Sequence, residues 1–367
     1  MIPIIELKGT YQTIGQQFGE NYKNQIKDFA TSRMARLISF VKRYGKIDIT
    51  ESEVLTIAES LLPAHQHYDA DLWQEFNGIA TGANLSLPWL LVANAYTDLR
   101  DYICKVKGFN DLEVRFEGCS GFVLDKSMSA ENNYIIGQTW DMSVEALEYL
   151  VIVKKTPISG PKSLYLTTMG ALALIGLNSN KIAIGNTNLM ANDCINGVNY
   201  LCTISKVLKQ QDYQAALDCI INTPRMSGHS FLCASPTQAN LLETSSQHLV
   251  NYAVDHYPLI KTNNYSEEMR QYEIFIPEQR RRNSLYRYGR VLSLLTEQAK
   301  WTRKELWQIL ADECRSGSGA AICNEDYNGQ YSEFATLATV LLIPELKTLH
   351  ICKGGAANGV EQIVTLD

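Results

Sequence analysis

Phe116-Glu117-Gly118-Cys119-Ser120-Gly121-Phe122 marks the point at which the character of the chain changes. Before it, apolar residues recur at helical spacing; after it they come in short runs separated by Asn, Ser and Gly, the texture of strands and tight turns. Upstream, Ile4–Lys8 reads as a strand, and Ile14, Phe18, Tyr22, Ile26, Phe29 and Met34 place one amphipathic helix over Thr13–Phe40. Thr50-Glu51-Ser52-Glu53 is a capping signature that opens a helix running to Leu62. Two further helices are expected at Trp73–Thr81 and Leu87–Tyr102, on either side of Gly82-Ala83-Asn84.

Downstream, Gly121–Asp125 and Tyr134–Thr139 flank the polar stretch Ser127–Asn133 and predict a β-hairpin. Strands follow at Tyr149–Lys154, Ser163–Thr168, Leu172–Leu177 and Lys181–Gly185, then helices at Asn199–Lys209 and Tyr213–Ile221. Ser230–Ala234, Asn240–Thr244, Leu249–Val254 and Leu259–Thr262 resume the strands, Arg281–Ala299 and Thr302–Asp312 return to helix, and Thr336–Ile343 and Thr348–Cys352 close the chain as strands. Blocks of strands and helices with short connections argue for an α+β fold over an alternating parallel sheet. No polar linker divides the helical first third from the rest, so one fused body is expected.

Composition narrows the function classes. With 46% hydrophobic and 20% charged residues in 367, the chain is neither disordered nor fibrous. A net charge of −6 lacks the basic excess that nucleic acid binding requires. Neither a secretory pattern at MIPIIELKGTYQ nor an apolar run of membrane-spanning length is present, so no membrane partner and a cytoplasmic location are expected. Nine cysteines without CxxC pairs fit neither a disulfide framework nor a zinc site. No glycine-rich phosphate loop occurs, so no nucleotide cofactor is indicated, and with no zinc pattern among the cysteines neither cofactor nor metal is expected.

Cys119, flanked by small residues, leaves room for a second group to approach its sulfur, although one more buried thiol is the plainer reading. The predicted hairpin returns Gly137-Gln138-Thr139-Trp140-Asp141 beside it, so Asp141 can meet a cationic group there, or serve as an ordinary turn aspartate. Asn263, at the strand end in Lys261-Thr262-Asn263-Asn264-Tyr265, can donate to an oxyanion or build a turn. Gly176-Leu177-Asn178-Ser179-Asn180 serves as a hairpin turn. His65 and His67 lie at a polar helix end and read as solvated; His229, at a strand start, can line a site.

Taken in order, EGCSGF, GQTWD, GLNSNKIAIGNTN, SFLCASPTQANLLETS and KTNNY resemble the acyl-coenzyme A:6-aminopenicillanic acid acyltransferase family of N-terminal-nucleophile hydrolases, distant kin of bile-salt hydrolase and penicillin V acylase. LKGTYQTIGQQFGENY and FNGIATGANLS resemble that family's N-terminal third. The resemblance implies a four-layer αββα sandwich and self-cleavage at Gly118–Cys119. Residues 1–118 would then form a mainly helical segment that stays associated with a catalytic core of residues 119–367. It implies Cys119 as nucleophile, Asp141 as partner of the freed amine, Asn263 as oxyanion donor, and Asn188 or Asn178 as a second polar contact. Trp140 falls within the same segment as Asp141 and is expected near the substrate. Gln138 stands where bile-salt hydrolases carry Arg, and Asn324 where the acyltransferases carry an "ICR" arginine. Missing cationic contacts point to uncharged or amine-bearing N-acyl compounds, unless Arg281, Arg282 or Arg315 reaches the site. A cysteine amidase or acyltransferase is expected, acting on a small N-acyl substrate, with an acyl-coenzyme A donor as one option. The competing readings are a papain-like hydrolase, whose local signature is missing around Cys119, and a non-catalytic small-molecule-binding protein that keeps the fold.

Overall fold

Two glycine pairs in the first third of the sequence face each other across one helix crossing. In the computed structural model, which describes residues 1–108, 118–274, 276–315, 321–325 and 333–367, β1 (Ile4–Gly9) precedes α1 (Tyr11–Asn21), α2 (Lys23–Gly45), α3 (Glu51–Tyr68), α4 (Ala70–Ala83), α5 (Leu87–Asn94) and α6 (Tyr96–Val106). A Cβ built on Gly15 of α1 would lie 2.0 Å from the Glu75 carbonyl, and one on Gly78 of α4 would lie 2.4 Å from the Gln12 carbonyl. The two backbones touch, which glycine alone permits. The motifs around Gly15 and Gly78 are therefore two halves of one contact.

Local chemistry sets the other helix ends. Thr50 and Glu53 form the expected capping box at α3, but the helix runs on through Pro63 to Tyr68. The single helix expected over Thr13–Phe40 is broken at Tyr22. Successive i+4 steps rotate the apolar stripe by about 40° each, and the break absorbs that drift. Leu87–Tyr102 is likewise split at Ala95, where the Asn94 side chain turns away to hold the Leu172 N–H and the Gly170 carbonyl. His65 is buried, not solvated: its Nδ1 faces the Leu61 carbonyl and its Nε2 accepts the Asn199 N–H. His67 is exposed.

Past the junction come β2 (Ser120–Leu124), β3 (Ile135–Ser143), β4 (Leu150–Pro157), β5 (Ser163–Thr168), β6 (Ile175–Asn178), β7 (Ala183–Leu189), α7 (Tyr200–Val207) and α8 (Tyr213–Ile221). They are followed by β8 (Gly228–Ala234), β9 (Ala239–Thr244), β10 (Leu249–Ala253), β11 (Leu259–Lys261), α9 (Glu278–Leu295), α10 (Arg303–Leu310), β12 (Phe334–Ile343), β13 (Thr348–Lys353) and β14 (Gln362–Thr365). Phe116 and Glu117 of the junction lie outside the described residues.

Two sheets result, ordered β1-β4-β5-β6-β7-β8-β9-β10 and β11-β2-β3-β12-β13-β14. Neighbours are antiparallel except β1 and β4. The fold is α+β, and the sheets pack face to face through β2, β3, β7 and β8. One apolar cluster fills the space between the sheets and under the N-terminal helices. A second, with Phe122, Leu124, Val291 and Leu306, glues α9 and α10 to the outer face of the six-stranded sheet. Strand β14, four residues long with Val364 as its one buried side chain, is not among the strands expected from the sequence.

The crossing makes a direct prediction. Gly78→Ala should lower stability in urea unfolding by roughly 1–3 kcal/mol, because backbone atoms cannot move aside. Gly289→Ala in α9, whose Cβ meets nothing within 4 Å, should be neutral or stabilising by up to about 1 kcal/mol. Equal effects at the two positions would contradict the backbone contact.

Candidate active site

Cys119 stands immediately before β2, and the β2–β3 register, Ser120 opposite Thr139, returns the end of β3 beside it. Its thiol is buried and directed at the Asp141 carbonyl, 3.7 Å away. On the other side of β3, β12 is bulged between Thr336 and Ala338, which sets Thr336 opposite Asp141. Thr336 Oγ1 donates to Asp141 Oδ1 at 2.8 Å. Burial lifts the Asp141 carboxyl from 3.8 to about 7; the Arg287 cation and the Thr336 and Thr139 hydroxyls pull the other way without prevailing.

Arg287 arrives from α9, whose buried face reads Arg280, Asn283, Ser284, Arg287, Val291 and Leu295. Its Nη1 donates to the Cys119 carbonyl and to Ser120 Oγ (3.1 Å), its Nη2 to Asn263 Oδ1 (3.1 Å) and its Nε to Asn283 Oδ1 (2.9 Å). Desolvation lowers the guanidinium to about 10, which leaves it charged at neutral pH.

Asn263 follows β11, where its backbone N–H is held by Ser284 Oγ at 2.9 Å. Its Nδ2 donates to the Asn188 carbonyl at 2.9 Å, and a carboxamide nitrogen has a second N–H to give. Gly118, Cys119, Trp140, Asp141, Asn188 and Asn263 thus line one cavity of ≈ 20 Å³, room for about one water.

Five of the residues singled out by sequence, Cys119, Trp140, Asp141, Asn188 and Asn263, are brought together with Gly118, and His229 joins them. Three others are not. Gln138 is spent bridging the sheets, its amide exchanging hydrogen bonds with the backbone N–H and carbonyl of Asn186. Asn178 is a turn residue: it caps Asn180 and Ile182 and holds the Leu208 and Gln210 carbonyls. Asn324 holds the Phe334 carbonyl, and its backbone N–H donates to Thr336 Oγ1, one step behind Asp141. Nor do the three arginines weighed from sequence line the cavity: Arg281 pairs with Glu273 and Glu267, Arg282 with Glu278, and Arg315 with Asn324.

Sequence reasoning missed Arg287, Thr97, Asp98 and Tyr200. A signal for Arg287 was present: the apolar stripe Leu295–Val291, continued back by four, lands on Arg287 and then Asn283, polar groups on a core-facing side. A larger cavity of ≈ 370 Å³ lies beyond β11, between Tyr252 and Leu285. Among the described residues no thiol lines it, and its Lys261 is already paired with Glu243.

No protein-family model and no curated protein matches the chain. Among solved structures, a variant of conjugated bile acid hydrolase from Clostridium perfringens is similar at a TM-score of 0.46 and 10% identity, over 68% of this chain and 97% of that one. Penicillin V acylase from Agrobacterium tumefaciens is similar at 0.46 and 11%, over 68% of this chain and 86% of that one.

The Asp141 shift has a measurable consequence. Its folded value lies above its unfolded one, so the native state keeps a proton that the unfolded chain has released between about pH 4 and pH 7. Stability therefore falls as pH rises through that window. In a chain carrying Cys119→Ala, which removes the thiol's own ionisation, Asp141→Asn should gain roughly 2–4 kcal/mol in urea unfolding at pH 8 relative to pH 4. An unchanged difference at the two pH values would contradict the buried neutral carboxyl.

Proposed function

We propose that this chain is a self-processing cysteine amidase or acyltransferase whose nucleophile, Cys119, becomes N-terminal when the Gly118–Cys119 bond is cut. The packing of Gly118 carries the reading. A Cβ there would lie 2.0 Å from Arg287 Nη2 and 2.6 Å from Asn263 Oδ1. The residue ahead of Cys119 thus packs directly against the joined cation and amide that flank the thiol. No substrate fits until that residue withdraws.

In processing, the Cys119 thiol adds to the Gly118 carbonyl, the C–N bond breaks, and the nitrogen takes the thiol proton. Water then hydrolyses the thioester to a Gly118 carboxylate. The freed α-amine, with an ordinary pKa of about 7.7–8.0, serves as base for the thiol of its own residue. The resulting ammonium is matched by Asp141, which its charge returns to the ionised form. The thiolate adds to the acyl carbonyl of a small N-acyl compound. The unspent N–H of Asn263 and the Arg287 guanidinium stabilise the oxyanion. The ammonium returns its proton to the departing amine, and the acyl thioester on Cys119 passes to water or to a second amine. An acyl-coenzyme A would load the same thiol by thioester exchange. The helical piece, held by buried contacts from α6, stays with the core.

Under denaturing conditions the protein should separate into Met1–Gly118 and Cys119–Asp367, about 13 and 28 kDa by residue share of 41.2 kDa. Cys119→Ala should remain one chain. An uncut wild type that turns over an amide would exclude this mechanism, and an uncut, inactive one would favour a binding protein. In the cut enzyme, Asn263→Ala should lower kcat about a hundredfold with little change in KM; loss of thermal stability alone would return Asn263 to a turn role.

A further inference from the structure

Three residues lining the Cys119 cavity each carry a buried polar atom with no hydrogen-bond partner among the described residues: Thr97 Oγ1, Asn188 Oδ1 and His229 Nδ1. They come from α6, β7 and β8. The β7–β8 register pairs Asn188 directly with His229, so their side chains stand next to each other on one face. Thr97 and His229 are 4% and 2% exposed, so bulk water does not serve them. Buried polar atoms left open toward a cavity await a ligand or a trapped water.

Which character these atoms present is fixed by Asp98. Its Oδ1 lies 2.7 Å from His229 Nε2, and its Oδ2 accepts the Tyr200 backbone N–H at 2.9 Å. The Tyr200 ring stacks on the imidazole with centroids 4.2 Å apart and holds its plane. A carboxylate only accepts, so a neutral imidazole carries its proton on Nε2 and turns the Nδ1 lone pair to the cavity. Asn188 Oδ1 is also an acceptor, and the Thr97 hydroxyl adapts to either role.

We propose that His229, Asn188 and Thr97 form the subsite for the part of the substrate adjoining the acyl bond, and that it selects groups carrying a hydrogen-bond donor, a hydroxyl or N–H, over ethers and carboxylates. This rests on Cys119 being the acyl-accepting nucleophile. Asp98 is a positioning residue that sets the imidazole tautomer. A carboxylate would set its oxygens against two acceptors with no proton between them. The expected bias against carboxylated amines thus gains a basis at the β7–β8 rung, in place of Gln138 and Asn324. Thr97 and Asp98 precede the cut, so the N-terminal piece completes the subsite.

Asp98→Asn tests this through the tautomer. The Tyr200 N–H still needs an acceptor, so the new amide turns its oxygen there and its NH₂ to His229 Nε2. That nitrogen must now accept, and the imidazole proton moves to Nδ1, which becomes a donor. Cut protein with ¹⁵N-labelled histidine is titrated with phenol, which carries one donor, and with anisole, which carries none; both are uncharged near neutral pH. The His229 resonance is assigned with His229→Gln. Wild type should bind phenol about tenfold tighter or more than anisole, and D98N, whose Nδ1–H either oxygen can accept, should narrow that ratio to about twofold. A preference set by probe size would be the same in both proteins. No His229 response in wild type, or an unchanged ratio in D98N, would overturn the proposal. Should D98N fail to fold, calorimetry on His229→Gln, whose amide both donates and accepts, should find the two probes within about twofold; a retained preference would overturn it equally. Neither probe carries an acyl group, so the outcome is separate from catalysis. If the titrations give the expected ratios while the hexanoyl amide of 3-aminophenol is not hydrolysed, the amidase reading falls and the subsite stands.

Discussion

A guanidinium buried to 2% exposure must spend its N–H groups inside the protein, and the way Arg287 spends them arranges the site. It reaches the Cys119 carbonyl, the Ser120 hydroxyl and the Asn263 and Asn283 side chains. Those contacts tie α9 to the start of β2 and to the turn after β11, three pieces far apart in sequence. The same charge opposes the desolvation that lifts Asp141. Removing Arg287 would leave several buried acceptors without a donor, a larger loss than any one bond. Position and charge at the thiol are therefore set by one side chain on a helix outside both sheets.

The N-terminal third belongs to the same construction. α6 buries Asp98, Arg100 and Asp101 completely or nearly so. Asp98 is spent on His229 and Tyr200, and Asp101 on Arg100 and on Ser227 Oγ at 2.7 Å. Charges so deeply buried are costly unless every partner is in place, so α6 has a narrow choice of seating on β8. In the proposed mature form this network crosses the cut and keeps two chains in one body.

Much of this was legible because it is local. The apolar runs flanking Ser127–Asn133 announced the hairpin that carries Asp141 to Cys119, and a strand ending in Asn263 placed an amide at the right edge. What escaped depends on partners distant in sequence. Gln138 sits within two residues of Trp140, yet its amide is taken by the Asn186 backbone in the facing sheet. Asn324 serves Thr336 and the Phe334 carbonyl. The site's cation is none of Arg281, Arg282 and Arg315, weighed from the sequence, but Arg287, on a helix read correctly as a helix but without regard to which face it buries. Asp98 was hidden because its partners, the Tyr200 N–H and His229, lie more than a hundred residues away in sequence.

In the proposed mechanism the acyl group is carried by a cysteine made N-terminal by the chain's own cleavage. Brief exposure of the purified protein to p-nitrophenyl acetate, followed by acid quenching and intact-mass analysis of both pieces, tests it in one measurement. A single acetyl group is expected on the chain beginning at Cys119, on the Cys119 residue itself, held at the sulfur while the amine stays protonated in acid and lost in Cys119→Ala. An acetyl group on uncut chain, on the Met1–Gly118 piece, or at another residue of the larger piece would contradict it.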